Sequence, residues 1–383
     1  MAKHALLSAS SADRWLNCTP SARLNEAAKD RSSPYAALGT LAHELSEILL
    51  KRDLQLINRK EFDKQFSFIQ EHELFYPGMV DEVEDYTSYV IEKYHSAVAK
   101  SSDAVILLEE KVDFSSYVPE GFGTGDCIII ADGELEVIDL KFGQGVEVSP
   151  VDNAQLKLYA LGAYDRYGFI YDIDKITMTI AQVRLNNISS STITTAMLEL
   201  WAEQELREKA VLAYEGKGET NPGHWCTFCK VMPKCSKKAN QHMGLYQSKK
   251  DTHILKAEEI AELLLHLDDI EKWAKGVKEH ALLEALKGEN YTGFKLVEGR
   301  SNRVINDETA LAKQLISAGF KEEQIYKPVA LEGLTNLEKV VGKKKFTELA
   351  SGFISKPAGK PALVPETDKR VAIDSVESDF FND

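Results

Sequence analysis

The sequence predicts an α/β protein, in the α+β sense of a mixed central sheet flanked by helices. Three observations predict it. Gly125-Asp126-Cys127-Ile128-Ile129-Ile130 and the run from Glu134 to Lys141 are β-rich stretches separated by Asp132-Gly133, the strongest short hairpin signal. Helical spacing brackets this hairpin, upstream over 36–52 and downstream over 152–167. An alternating stretch, Lys175 to Arg184, follows. The order helix, strand, hairpin, helix, strand, helix gives one sheet covered by helices.

The elements follow in chain order. Ser8-Ala-Ser-Ser ahead of Ala-Asp-Arg-Trp-Leu reads as a capped short helix that stops near Pro20, with Cys18 at its end. Leu38, Leu41, Leu45, Ile48 and Leu49 keep helical spacing, and Gly39, Thr40, His43 and Glu47 lie on or near the other side of that helix. Residues 53–100 read as helical with a break at Tyr76-Pro77-Gly78, and Ala104 to Val112 as a strand. Beyond the hairpin, Gln155 and Tyr159 stand at i and i+4, on one helical face. Ser191 to Tyr214 reads as an amphipathic helix. Ile254, Ile260, Leu263, Leu264, Leu267, Ile270 and Trp273 define a long helical pattern, followed by a short strand and basic turn over Gly293 to Arg303 and helical patterns at 307–318 and 334–350. The division expected is a core over 1–245, a mostly helical accessory region over 251–353, and a disordered acidic tail over 354–383.

The chain has 383 residues, 44% hydrophobic and 28% charged, as in a globular protein with an ample core. It has no apolar run of membrane-spanning length, and Met1-Ala-Lys-His lacks a secretory apolar region. A cytoplasmic protein without membrane attachment is expected. A net charge of -14 argues against wholesale coating of nucleic acid. Lysine clusters at 230–238 and 343–345, and the arginines Arg300 and Arg303, read first as solvated faces.

The hairpin carries the chemistry. With Asp132 and Gly133 as the two turn residues, Ala131 faces Glu134 and Asp126 faces Asp139. Opposed side chains in an antiparallel pair stand about 5 Å apart at Cβ, so two carboxylates there repel unless a cation lies between them. Lys141 shares a face with Asp139. Carboxylates around a hard Mg²⁺ or Mn²⁺ beside an ammonium are the apparatus of phosphodiester hydrolysis. A three-residue turn would shift the register by one and remove the pairing.

Cys226, Cys229 and Cys235 form a C-x₂-C-x₅-C set, a metal-site spacing. Cys18 is the natural fourth ligand, because Cys127 points away from Asp126 into the opposite face of its strand. Four thiolates suit a structural Zn²⁺ or an iron–sulfur cluster; His224 or His242 is an alternative partner for a local zinc site.

The set Gly39…His43, Gly125-Asp126, Asp139-Leu140-Lys141 and Gln155…Tyr159 resembles the PD-(D/E)XK nuclease superfamily, in its RecB-like exonuclease branch. One cysteine before the core and three after it resemble the iron–sulfur-bearing members of that branch, among them the AddB helicase–nuclease subunit and the CRISPR-adaptation exonucleases. The whole chain also looks like a family of phage and prophage proteins assigned to this superfamily. The resemblance implies a restriction-endonuclease-like core whose terminal segments are joined by a four-cysteine metal centre. It implies that His43, Asp126 and Asp139 ligate Mg²⁺ or Mn²⁺ with help from the Leu140 carbonyl. Lys141 becomes the catalytic lysine, and Gln155 and Tyr159 orient it and contact DNA. Cys18, Cys226, Cys229 and Cys235 would hold a [4Fe–4S] cluster. Gly-Asp stands where the superfamily signature has Pro-Asp, and residues beyond about 250 have no counterpart in the better-known relatives. The implied activity is a metal-dependent DNA nuclease, an exonuclease before an endonuclease, working in phage recombination or replication in the bacterial host cytoplasm. A partner protein would dock through the C-terminal tail, and an oligomer is compatible with processive digestion. The rival readings are a catalytically silent DNA-binding scaffold and a zinc-bound interaction module.

Overall fold

The computed structural model describes residues 5–28, 34–248, 255–297, 308–318, 321, 333–350 and 353–354. Five strands form one sheet in sequential order: β1 (Val105–Asp113), β2 (Phe122–Ala131), β3 (Glu134–Leu140), β4 (Lys175–Gln182) and β5 (Asn187–Thr194). All neighbours are antiparallel except β3 and β4. Parallel neighbours need a crossover, and α6 (Ala154–Tyr171) supplies it. Asn153 starts α6 by accepting the Leu156 N–H on its side chain, the usual way of satisfying a first-turn donor.

The hairpin forms as its turn residues dictate. Ala131 pairs with Glu134 and the register runs without a slip to Cys127 and Ile138. Gly133 takes φ +75°, which a β-carbon would disfavour. The two faces of β2 then feed two cores. Ile128 and Ile130 pack under α6 and the N-terminal segment. Cys127 and Ile129 pack under α3 (Pro34–Asp53), α4 (Arg59–Gln70) and α5 (Gly78–Lys100). Cys127 is thus a small buried side chain on the face opposite Asp126, as expected. At roughly 1.5–3 kcal/mol for each large apolar side chain buried, a slip of one residue would invert both faces at prohibitive cost.

The N-terminal segment forms α1 (Ala12–Asn17), ending at Cys18, and α2 (Ser21–Glu26). One expectation fails. The stretch read as a helix from Ser191 begins as β5, and helix starts only at Thr195, as α7 (Thr195–Trp201) continuing through a π-turn (Ala202–Leu206) into α8 (Arg207–Glu215). Asn-Ile-Ser-Ser-Ser-Thr-Ile-Thr alternates half-buried and exposed positions. Its polar residues suit an edge strand, whose outer side meets water, and obscure the alternation that marks a strand in sequence.

Beyond the core lie α9 (Ser236–Ser248), α10 (Ala257–Ala285), α11 (Glu308–Ser317), α12 (Leu334–Val341) and α13 (Lys343–Ala350). Gly342 at φ +87° splits the last pattern into two helices. Residues 293–297 form no strand, and the rest of the expected strand and basic turn, with the tail from 355 onward, lies outside the described residues. Among the described residues no helix is long and apolar enough to cross a membrane.

Candidate active site

Asp126 on β2 and Asp139 on β3 sit at the open end of the hairpin, one step beyond the last ladder pair. There a side chain takes over from the backbone: Asp126 Oδ2 accepts the Leu140 N–H at 2.7 Å. His43 comes from α3, with Nδ1 3.3 Å from Asp126 Oδ1 and 3.8 Å from Glu109 Oε1. His43, Glu109 and Asp126 each present a ligand atom within 4.8 Å of the others, the only such set of His, Cys, Asp and Glu among the described residues.

Glu109 is absent from the sequence-based ligand set. It lies on β1 between Leu108, paired with Cys127, and Glu110, paired with Gly125, so it stands opposite Asp126 where the ladder breaks. Its backbone is left-handed at φ +48°, a conformation that a glutamate adopts at a cost of about 1–3 kcal/mol. Its strand also carries Glu110, Lys111 and Asp113, so only the β1–β2 register, which sets Glu109 opposite Asp126, singles it out.

Asp139 is not in the tight set. Its carboxylate is buried and turned toward Lys141 and Gln155: Lys141 Nζ lies 2.8 Å from Oδ2, and Gln155 Nε2 donates to Oδ1 at 3.0 Å. The ammonium meets Oδ2 at a poor angle, leaving that oxygen without a well-directed hydrogen bond. Gln155 Oε1 accepts from Lys141 Nζ at 3.0 Å, and Gln155 Nε2 also reaches the Tyr159 hydroxyl at 3.2 Å. Gln155 therefore ties carboxylate, ammonium and phenol together, as the shared helical face requires. The Tyr159 ring packs against β2 because Gly123 leaves room: a β-carbon there would stand 2.7 Å from Tyr159 Cε1.

The charges are strongly coupled. Burial alone would depress His43, but the charge and hydrogen bond of Asp126, the hydrogen bond of Glu109 and the charge of Asp139 hold it up at about 10. Burial pushes Asp139 up to about 6, against the pull of Lys141. Burial works hardest against the Lys141 ammonium, yet the charge and hydrogen bond of Asp139 together with the charge of Asp126 hold Lys141 above its ordinary value. Glu109 is raised, chiefly by burial. Burial raises Tyr159 as well, with the Asp139 charge adding to it. At neutral pH the site thus holds an imidazolium among carboxylates and a charged lysine, a donor rather than a base.

The residues fit a hard divalent ion. Two carboxylates and an imidazole converge, and the buried Asp139 Oδ2 offers a further lone pair beside them.

The cysteines lie elsewhere. Cys18 ends α1, while Cys226, Cys229 and Cys235 lie in tight turns over 224–235. The two segments are stitched together by other groups: Asn25 Nδ2 donates to Cys229 Sγ at 3.3 Å, Lys230 N to Asn25 Oδ1 at 2.7 Å, and Thr19 Oγ1 to the Lys217 carbonyl at 2.6 Å. Cys18 is raised, first by burial and in part by the charges of Cys229 and Cys235, so the thiols share one neighbourhood. They do not close to within 4.8 Å as a set, whereas four thiolates on one tetrahedral Zn²⁺ stand about 3.8 Å apart. A four-cysteine metal centre is therefore not shown. His224 is exposed and faces Asp13 at 3.3 Å, and His242 is buried against the Trp273 ring at 5.0 Å; neither joins the cysteines.

Comparison with known families places residues 4–371 in a single family, described as protein of unknown function (DUF2800). The chain belongs to this family. A solved structure described as "Crystal structure of SSO0001" is similar over 59% of this chain and 96% of its own length, at 13% identity and a TM-score of 0.24. Likeness at that level carries no argument about fold or activity.

Proposed function

We propose that this chain is a divalent-metal-dependent deoxyribonuclease, an exonuclease before an endonuclease, and a RecB-like member of the PD-(D/E)XK superfamily. The convergence of His43, Glu109 and Asp126 beside the Asp139–Lys141–Gln155 bridge carries the reading. A mixed sheet with the two aspartates at the mouth of its central hairpin supports it.

His43, Glu109 and Asp126, with Asp139 beside them, would hold Mg²⁺ or Mn²⁺. When bound, the ion supplies a nucleophilic water and neutralises phosphate charge. Lys141, charged at neutral pH and fixed by Asp139 and Gln155, donates to the scissile phosphate or the attacking water and stabilises developing negative charge. Gln155 holds that ammonium in place, and Tyr159 anchors Gln155 from behind.

Cys18, Cys226, Cys229 and Cys235 would hold a [4Fe–4S] cluster in a structural role. The Arg14 guanidinium lies within electrostatic reach of Cys18 and Cys229, and Lys238 within that of Cys226. Burial raises Cys18 and Cys226 and the Lys238 charge pulls Cys226 back toward the thiolate, and the spacing is wider than a single zinc takes. The biological setting proposed is phage recombination or replication in a bacterial cytoplasm.

Cleavage of end-labelled linear and closed-circular DNA with Mg²⁺ or Mn²⁺, wild type beside Asp126→Ala, tests the reading. Metal-dependent loss of linear DNA by wild type alone supports an exonuclease; cutting of circles makes it an endonuclease. No cleavage of either refutes the proposal. One observation favours a second reading, a silent DNA-binding scaffold: His43 pairs with Asp126 and Glu109, so the cluster is neutralised without a metal.

A further inference from the structure

A groove of about 500 Å³ runs between the turns at 227–233 and one side of α10. Its walls are built. Lys238, 1% exposed, is paired with Asp269 of α10 at 2.5 Å. Gly276 lets α10 approach the turn so closely that a β-carbon there would meet Met232 Cε at 3.3 Å and Pro233 Cγ at 3.4 Å. The lining contains Lys230, Lys272 and Lys275. Since Asp269 is taken by Lys238, Glu279 is the remaining carboxylate of the lining. Among the described residues neither Lys272 nor Lys275 has an ion-pair partner, although the chain carries a charge of -14 and acidic side chains abound. Phe228 stands at the rim with 86% of its surface exposed.

Lysines such as Lys272 and Lys275, without an ion-pair partner among the described residues and beside an exposed aromatic ring, are what a single strand of nucleic acid needs: cations for phosphates and a ring face for a base. The groove is linked to the candidate active site through the N-terminal segment. Ala9 lies beside Gly123 and Tyr159, and Arg14, five residues on, donates to the Phe228 carbonyl at 3.5 Å. At about 1.5–2 Å of rise per helical residue the backbone from Ala9 to Arg14 spans roughly 10 Å, and the Arg14 side chain and the strand from Gly123 to Asp126 lengthen the path to several nucleotides. We propose that the groove lined by Lys230, Lys272 and Lys275, with Phe228 at its rim, binds a single DNA strand several nucleotides away from the scissile bond. The inference rests on the nuclease reading and adds to it where the strand is held and in what form.

The test is fluorescence anisotropy of a labelled single-stranded oligonucleotide with the full chain carrying Asp126→Ala, which prevents cleavage. Adding Lys272→Glu and Lys275→Glu lowers affinity at least tenfold and makes log K against log salt shallower by about 1.4, since each phosphate contact on a single strand contributes about 0.7. Phe228→Ala, at an exposed position that leaves folding intact, lowers affinity about tenfold, within the range for losing one base stack. Lys60→Glu with Lys64→Glu, exposed on α4, makes the same charge change and moves affinity less than threefold. If the parent binds DNA and the groove variants match the α4 control, the groove assignment falls while the nuclease reading stands. If the parent binds no DNA and wild type cleaves none, both fall. Should the lysine variants fail to fold, unchanged binding by Phe228→Ala still overturns the assignment.

Discussion

On the nuclease reading, metal binding at this site must be bought with a proton. His43 sits at about 10 in the metal-free protein, so at pH 7 only roughly one molecule in a thousand has the neutral imidazole that a metal requires. The penalty is up to about 4 kcal/mol at pH 7 and falls by about 1.4 kcal/mol with each pH unit. Between pH 6.5 and 8.5, a window above the Asp139 value of about 6 and below that of His43, affinity for Mn²⁺ should tighten about 100-fold. Isothermal titration calorimetry in buffer pairs of different ionisation enthalpy should count about one proton released per ion. His43→Asn should flatten the slope. A wild-type affinity independent of pH, or an unchanged slope in His43→Asn, refutes the assignment of His43 as a protonated ligand. It would also favour the silent scaffold, in which the imidazolium stays where it is.

The same linkage runs the other way for folding. A histidine raised in the folded state contributes stability that is fully present below about 6.5 and lost as pH rises through about 10. The metal-free protein should therefore melt at lower temperature at pH 9.5 than at pH 7, and saturating Mn²⁺ should reduce that loss; a flat metal-free profile counts against the pairing of His43 with Asp126 and Glu109. Lys141→Met should lower the rate of cleavage at least 100-fold, the scale of losing a preorganised charge, with Mn²⁺ affinity changed far less; comparable loss in both would make Lys141 part of the metal site. Gly123→Ala drives a β-carbon to 2.7 Å from Tyr159, so it should cost about 1–3 kcal/mol in denaturant unfolding and reduce cleavage through displaced Gln155; full activity and stability would show that the ring moves freely. Cys229→Ser should lose iron, sulfide and brown colour in anaerobically purified protein, and retention of all three excludes Cys229 as a ligand.

The hairpin is legible in the sequence because turn chemistry and β-branched runs act locally: Asp132-Gly133 set the register, and the register sets Asp126 beside Asp139. Gln155 and Tyr159 share a face for an equally local reason, being one helical turn apart, but only the family resemblance gives them a role. His43 carries no local signal, since its role depends on α3 crossing the mouth of the hairpin, and only the family resemblance points to it. Glu109 escapes a reading of the sequence because its value comes from a partner strand: within Ala-Val-Ile-Leu-Leu-Glu-Glu-Lys-Val nothing separates it from Glu110, which instead reaches Arg166 at 2.7 Å on the surface. Pairing β1 with β2 separates them, because Glu109 falls opposite Asp126 and Glu110 opposite Gly125. At that placement Glu109 holds a left-handed backbone. Two carboxylates on adjacent strands repel, and a strand that bent to relieve the repulsion would lose the site. The structure keeps both carboxylates, accepts the strained backbone and sets His43 between them. If the strain serves metal binding, Glu109→Gly should relax the backbone and raise stability while weakening Mn²⁺ binding. Unfolding and calorimetry on that one variant decide it, and a Glu109→Gly protein that binds Mn²⁺ as wild type does would remove Glu109 from the ligand set.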